Sequence, residues 1–65
     1  MKKYTVMCAI YDNGINFLQV PCVYANDRDE AGKRAIEILK GKGYENVELA
    51  PDFYGMGLSI MEIHD

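Results

Sequence analysis

The side chains of this sequence best suited to catalysis are two cysteines and a single histidine. Cys8 and Cys22 are potential nucleophiles and His64 a potential base, and such a pair needs defined mutual geometry. Both cysteines lie within apolar runs, where burial raises the pKa of a thiol, and His64 is the penultimate residue. We therefore expect no Cys–His site. One histidine and two isolated cysteines also do not supply the ligands of a zinc site.

Carboxylates and glycine-rich segments offer little more chemistry. The acids that could form an acid–base pair are Asp12, Glu45, Glu48, Asp52 and Glu62, but a chain of this size offers no evident pocket for them. The glycine pairs at 41–43 and 55–57 follow a predicted helix or open a predicted strand, whereas phosphate loops precede a helix. We expect no enzyme, no metal site and no cofactor.

Length and charge narrow the class of protein. The 65 residues form at most one small domain, 1–65, and a core of this size is marginal without a disulfide, metal or partner. The net charge of −3 divides into +2 over residues 1–42 and −5 over residues 43–65. The acidic third would repel phosphate, which argues against nucleic-acid binding. No apolar run is long enough for a membrane span and no signal-peptide core is evident, so we expect a cytoplasmic protein.

The pattern of apolar residues predicts five elements. Strands are expected over 3–11 and 15–25, joined at Asp12-Asn13-Gly14, and again over 44–50 and 58–64. A helix capped by Asn26 or Asp27 would bury Ala31, Ala35, Ile38 and Leu39. This order predicts an α+β fold of two layers, β-β-α-β-β, with one helix on a four-stranded antiparallel sheet of order 2-1-3-4. Pro21 predicts that the second strand lies at an edge or carries a bulge.

Both faces of this sheet are apolar, although one helix covers only one of them. A two-residue Asn13-Gly14 turn would place Leu18 on the open face, and a three-residue loop would place Phe17 there instead. Neither register allows a Cys8–Cys22 disulfide, so buried, reduced cysteines are expected. We expect a homodimer, with scattered half-exposed side chains as the alternative. The expected interface consists of Met7, Ala9, Tyr11, Leu18, Val20, Tyr24, Met61 and Ile63.

The segment from Pro51 to Gly57 combines aromatic residues with proline and glycine, which interrupt regular secondary structure, and it resembles a recognition loop. The alternative is that Phe53 folds back to extend the core. The expected partner-binding residues are Asp52, Phe53, Tyr54, Met56, Glu45 and Glu48.

The stretch from Val23 to Ala31, followed by Ala35, resembles the strand-to-helix junction of many small bacterial and phage proteins and, loosely, the β-β-α-β module of the archaeal ribosomal LX protein. Ribosomal relatives are strongly basic, whereas this chain is acidic. The leading hypothesis is a non-enzymatic, protein-binding homodimer, and a phage-type or accessory inhibitor with an anti-defence role is one concrete version of it. The alternatives are a homo-oligomer that holds a small ligand near Tyr11 and Tyr24, and a nucleic-acid binder that uses the basic residues Lys2, Lys3, Arg28, Lys33 and Arg34.

Overall fold

The computed structural model describes residues 1–51 and 59–64, which form one helix and a four-stranded antiparallel sheet. The strands are β1 (Lys2–Tyr11), β2 (Ile15–Ala25), β3 (Val47–Leu49) and β4 (Ile60–Glu62), and the helix α1 spans Arg28–Gly41. The α+β fold predicted from the sequence is confirmed. β3 and β4 are shorter than predicted.

The β1–β2 hairpin uses a three-residue loop. Tyr11 pairs with Ile15, so Asp12, Asn13 and Gly14 all belong to the connection, and Cys8 lies opposite Leu18. Asn13 and Gly14 have φ angles of 56° and 132°, values that an Asn-Gly sequence tolerates.

A β-bulge interrupts this hairpin near the other end of β2. Tyr4 pairs with Val23 and Val6 with Val20, so two residues of β2, Pro21 and Cys22, lie opposite Thr5 alone. Both expectations for Pro21 are confirmed, since β2 also lies at an edge of the sheet.

The fourth strand differs from the predicted 2-1-3-4 order. β4 pairs with β1, not with β3, so β3 and β4 lie end to end along the edge of β1 that β2 leaves open. The residue numbers of each pair sum to 57 where β1 pairs with β3 and to 66 where β1 pairs with β4. The difference of nine means that β3 and β4 would follow one continuous register along β1 if nine residues between them were removed. Met7 joins the two parts, because its N–H donates to the Ser59 carbonyl at 2.7 Å and its carbonyl accepts from the Ala50 N–H at 3.0 Å.

Both ends of α1 follow signals in the sequence. The Asp27 side chain accepts a hydrogen bond from the Glu30 N–H at 2.8 Å, which confirms Asp27 as the N-cap. At the other end the N–H groups of Gly43 and Tyr44 donate to the carbonyls of Lys40 and Leu39, the pattern of a Schellman motif.

The core lies between α1 and one face of the sheet. Its fully buried members include Tyr4, Val6 and Cys8 from the centre of the sheet. Ala31, Gly32, Ala35 and Leu39 form the buried face of the helix, whereas Ile38, which was predicted to be buried, is exposed. At Gly32 the helix comes so close to the sheet that an added Cβ would lie 3.2 Å from the side chains of Leu49 and Ile60.

Candidate interaction surface

The face of the sheet opposite α1, here called the open face, is built by the alternation of side chains along β1. Tyr4, Val6, Cys8 and Ile10 belong to the core, so the intervening residues project the other way. Strand pairing then identifies their neighbours on the same face. The described members of the open face are Lys3, Thr5, Met7, Ala9, Tyr11, Ile15, Phe17, Gln19, Tyr24, Glu48, Met61 and Ile63.

Four large apolar side chains of this face are about half exposed, which makes the face a candidate surface for association. The exposed fractions are 58% for Ile15, 49% for Phe17, 55% for Tyr24 and 47% for Met61. Together with Tyr11 they leave about 500 Å² accessible, taking each aromatic or large aliphatic side chain at roughly half of its area. That is near the upper end of the roughly 300–600 Å² of the largest apolar patch on a typical monomer.

The structure places two residues of the predicted interface elsewhere. Leu18 and Val20 face α1, where Val20 is buried in the core and Leu18 packs against it. The cause is the three-residue hairpin loop, which shifts the register by one and reverses the faces of the first half of β2. Ile15 and Phe17 occupy the open face in their place. Ile15 is absent from the predicted interface, whereas Phe17 is the residue predicted to lie on this face with a three-residue loop.

The polar residues of the open face lie at defined positions. The Gln19 side-chain amide donates to the Thr5 hydroxyl at 2.7 Å across the β1–β2 pair. Lys3 lies opposite Tyr24 near one end of the face, and Glu48 lies opposite Ala9 near the other. The face therefore has a basic and an acidic end separated by apolar side chains.

The predicted partner-binding residues fall into two groups. Asp52, Phe53, Tyr54 and Met56 lie outside the described residues. Glu45 and Glu48 are both exposed, Glu48 on the open face and Glu45 beside a small hollow of about 180 Å³ that Tyr11 and Tyr44 also line. Of these two residues, the structure therefore places only Glu48 on the open face.

The candidate catalytic groups are not brought together. Cys8 is buried, and desolvation raises the pKa of its thiol above the ordinary value of 9.0. His64 follows β4 and lies 3.4 Å from Glu62. If the β4 register continues, His64 lies level with Lys2, about 20 Å along β1 from Cys8. Cys22, which was expected to be buried, is exposed in the bulge, and both cysteines are free.

Two of the basic residues proposed for nucleic-acid binding have acidic neighbours. Arg34 lies 2.7 Å from Glu30 and Lys2 lies 3.9 Å from Glu62. Lys3 is on the open face, whereas Lys33 belongs to the exposed side of α1. These positions spread the positive charge over several sides of the described structure. Within residues 1–51 and 59–64, no three His, Cys, Asp or Glu side chains are arranged to hold a metal ion.

Tyr11 and Tyr24, proposed as contacts for a small ligand, lie at opposite ends of the open face. Tyr24 is level with Lys3, so the two tyrosines are separated by eight residues along β1, or about 27 Å. A small ligand therefore cannot touch both tyrosines of one chain.

Comparisons with family models, curated proteins and solved structures found no match to this chain. In the described part of the chain, α1 is too short and too polar to cross a membrane.

Proposed function

We propose that this chain is a non-enzymatic protein-binding module that acts as a homodimer, joined through the open face of its sheet. The observation that carries the proposal is the exposure of Ile15, Phe17, Tyr24 and Met61 on one continuous face, although the chain has only a small core of its own. The occupant that we propose for this face is a second copy of the same chain.

The area of the open face suits such a dimer. A stable interface buries about 800 Å² per partner. The exposed apolar side chains contribute about 500 Å² of this area, and half-buried neighbours such as Thr5, Met7 and Ile63 add to it. Two sheets packed about 10 Å apart would form a sandwich with the helices outside. The added burial would also compensate for the small core of a 65-residue chain.

The free edge of β2 is less suitable for association than the open face. Pro21 lacks an N–H and lies in a bulge, both of which disturb pairing with another strand. The Tyr24 carbonyl already accepts a hydrogen bond from Arg34 at 2.6 Å. These features favour packing face to face over pairing edge to edge.

The dimer would present two copies of an acidic surface to a further protein. Residues 43–65 contain five acids and no lysine or arginine, so a basic partner is the complementary class. The aromatic segment 51–57 would contribute rigid anchors to that contact. An accessory or phage-type inhibitor with an anti-defence role is the concrete form of this proposal.

Sedimentation equilibrium of the wild-type chain tests the dimer directly. We expect a dimer at micromolar concentration and a shift of at least tenfold toward monomer in Phe17→Asp and in Met61→Asp, because each places a charge in an apolar interface. Ile38→Asp is the matched control, since Ile38 is a similarly exposed apolar residue on α1. Circular dichroism verifies that each variant is folded.

Two results would contradict the homodimer. One is a wild-type chain that remains monomeric at the highest concentration measured. The other is equal dissociation of the Ile38→Asp control and the open-face variants, because a general effect of added negative charge would then explain the loss.

A further inference from the structure

We propose that the open face is a redox-sensitive surface: oxidation of Met61 to its sulfoxide converts the dimer to monomers. This inference rests on the proposed homodimer and concerns the regulation of that interface. It starts from the position of Met61, which is the residue of β4 that belongs to the open face. Its side chain is 47% exposed in the single chain, so peroxide in solution can reach the sulfur whenever the dimer is dissociated.

A second methionine lies beside Met61 on the open face. Met61 pairs with Thr5, and Met7 is the next residue of β1 on the same face, so the two methionines are diagonal neighbours across the β1–β4 pair. Such neighbours have Cα atoms about 7–8 Å apart, within reach of long side chains. The middle of the apolar face therefore carries two thioether groups.

The two thioethers differ in their exposure to solvent. Met61 is exposed, whereas Met7 is half-buried. Exposure governs how readily a sulfur is oxidised, so Met61 should react before Met7.

The reaction requires a peroxide as its co-reactant. A lone pair of the Met61 sulfur attacks one oxygen of hydrogen peroxide, so that an S–O bond forms while the O–O bond breaks. The leaving hydroxide takes the proton of the transferred oxygen, and the products are methionine sulfoxide and water. Sulfur loses the electron pair that the peroxide gains. Methionine sulfoxide reductases reverse the change, so the modification can be reset.

The sulfoxide no longer suits an apolar interface, because it is polar and its oxygen needs a hydrogen-bond donor. Thr5 is the polar residue opposite Met61 on β1. Its hydroxyl already accepts from Gln19 at 2.7 Å and donates to the Val20 carbonyl at 3.4 Å. Dimer formation would therefore remove water from the sulfoxide oxygen and leave Thr5 unable to replace it, which favours the monomer.

Peroxide treatment of the wild-type chain and of Met61→Leu tests the switch. Leucine is apolar and similar in size to methionine, but it has no sulfur to oxidise. We expect peroxide to raise the wild-type dissociation constant at least about tenfold, because a polar group enters the interface. Met61→Leu should stay within about threefold of its untreated value. Sedimentation equilibrium measures the dissociation constants, and peptide mass spectrometry locates each added oxygen atom.

The remaining sulfur atoms provide the controls. Met1, Met7 and Met56 are present in both chains, so their oxidation acts on both. Met56→Leu removes a different sulfur and should respond to peroxide as the wild type does. Cys22 is exposed and also reacts with peroxide. A thiol reductant added after the treatment opens any disulfide of Cys22 but leaves the sulfoxide in place.

The rate of oxidation gives a second measurement. The dimer covers Met61, so its oxidation in excess peroxide should slow at least about threefold as the protein concentration rises through the dissociation constant. Met1 is the internal reference, because it is 78% exposed and its sulfur lies 3.7 Å from Nη1 of Arg34, away from the open face. Its rate should not depend on protein concentration.

The outcomes distinguish this inference from the homodimer itself. A dimer that persists after complete oxidation of Met61 would overturn the switch and leave the homodimer in place. Equal sensitivity of the wild type and Met61→Leu would overturn it as well, because another residue would then be responsible. An untreated wild type that remains monomeric would remove both proposals.

Discussion

The guanidinium Nη1 of Arg34 donates a 2.6 Å hydrogen bond to the backbone carbonyl of Tyr24 and so ties the helix to the edge strand. The Nη2 atom of the same side chain lies 2.7 Å from a carboxylate oxygen of Glu30, one helical turn earlier. These two contacts hold the guanidinium in place over the edge of β2. A carbonyl occupied in this way is not available to an incoming strand.

Removal of this contact should destabilise the chain modestly. For Arg34→Met we expect the free energy of unfolding to fall by about 1 kcal/mol, because the hydrogen bond to Tyr24 is lost while the apolar stem is retained. The exposed pair with Glu30 adds little. Urea denaturation measures the change, with Lys33→Met as the control. Equal stability of the two variants would show that the contact contributes nothing.

The hairpin loop depends on a backbone conformation that side chains disfavour. Gly14 has a φ of 132°, and an added Cβ would meet nothing within 4 Å, so any penalty for Gly14→Ala comes from the backbone alone. We expect a loss of about 1–3 kcal/mol in the free energy of unfolding. Gly41→Ala, in open space at the end of α1, should be neutral or stabilising. If both variants lose the same stability, the loop conformation is not the cause.

The close approach of α1 to the sheet makes Gly32 sensitive to size. A Cβ there would lie 3.2 Å from Leu49 and Ile60, so the larger side chain of Gly32→Leu must push the helix away from the sheet. We expect a loss of about 1–3 kcal/mol. Gly41→Leu is the matched control, because it adds the same side chain where nothing lies within 4 Å. Thermal denaturation compares the two, and equal melting temperatures would contradict the packing at Gly32.

The two cysteines should react with thiol reagents at very different rates. Cys22 is exposed and should be modified within the native state, whereas Cys8 is buried and should react only when the chain opens. Reaction of one thiol per chain in buffer and of two in denaturant is the expected result. The single variants Cys8→Ala and Cys22→Ala assign each phase. Rapid modification of Cys8 in the Cys22→Ala protein would contradict its burial.

Burial of Cys8 also predicts a dependence of stability on pH. Because the pKa of the thiol is raised in the folded state, the unfolded chain loses this proton first as the pH rises. The contribution is therefore fully present below pH 9.0, the ordinary thiol value, and is lost as the pH rises through the folded-state pKa. Urea denaturation from pH 7 to 10 should show a smaller decline for Cys8→Ala than for wild type. Parallel declines would exclude the thiol as the source.

The helix and the β1–β2 hairpin were predictable because local signals specify them. Asp27, one of the two predicted N-cap candidates, caps the helix, and Gly43, one of the two glycines that follow the predicted helix, ends it. Pro21 predicted an edge strand or a bulge because it lacks an N–H. These features depend on a few neighbouring residues, which a single sequence contains in full.

The faces of β2 were harder to predict because the bulge changes the alternation partway along the strand. Leu18 and Val20 face the helix on even numbers, and Val23 and Ala25 face it on odd numbers. If all odd-numbered residues of β2 faced the helix, Gln19 and Pro21 would be buried, and if all even-numbered residues did, Asn16 would be buried. The combination of a three-residue loop and a bulge directs Leu18, Val20, Val23 and Ala25 inward, and no short pattern specifies that combination.

The position of β4 also escaped the sequence analysis. Strand order rules favour placing each new strand beside the last, which predicted β4 next to β3. In the structure the Met7 N–H donates to the Ser59 carbonyl, and the Met7 carbonyl accepts from the Ala50 N–H. One residue of β1 therefore binds the chain on both sides of the interruption. These two hydrogen bonds join residues that are far apart in the sequence, and composition and periodicity do not reveal such contacts.

The two backbone hydrogen bonds of Met7 separate the pairing of β3 from the pairing of β4. Since each ladder has its own register on either side of Met7, a change in the number of residues between Ala50 and Ser59 requires no shift in the pairing of β3 or β4 with β1.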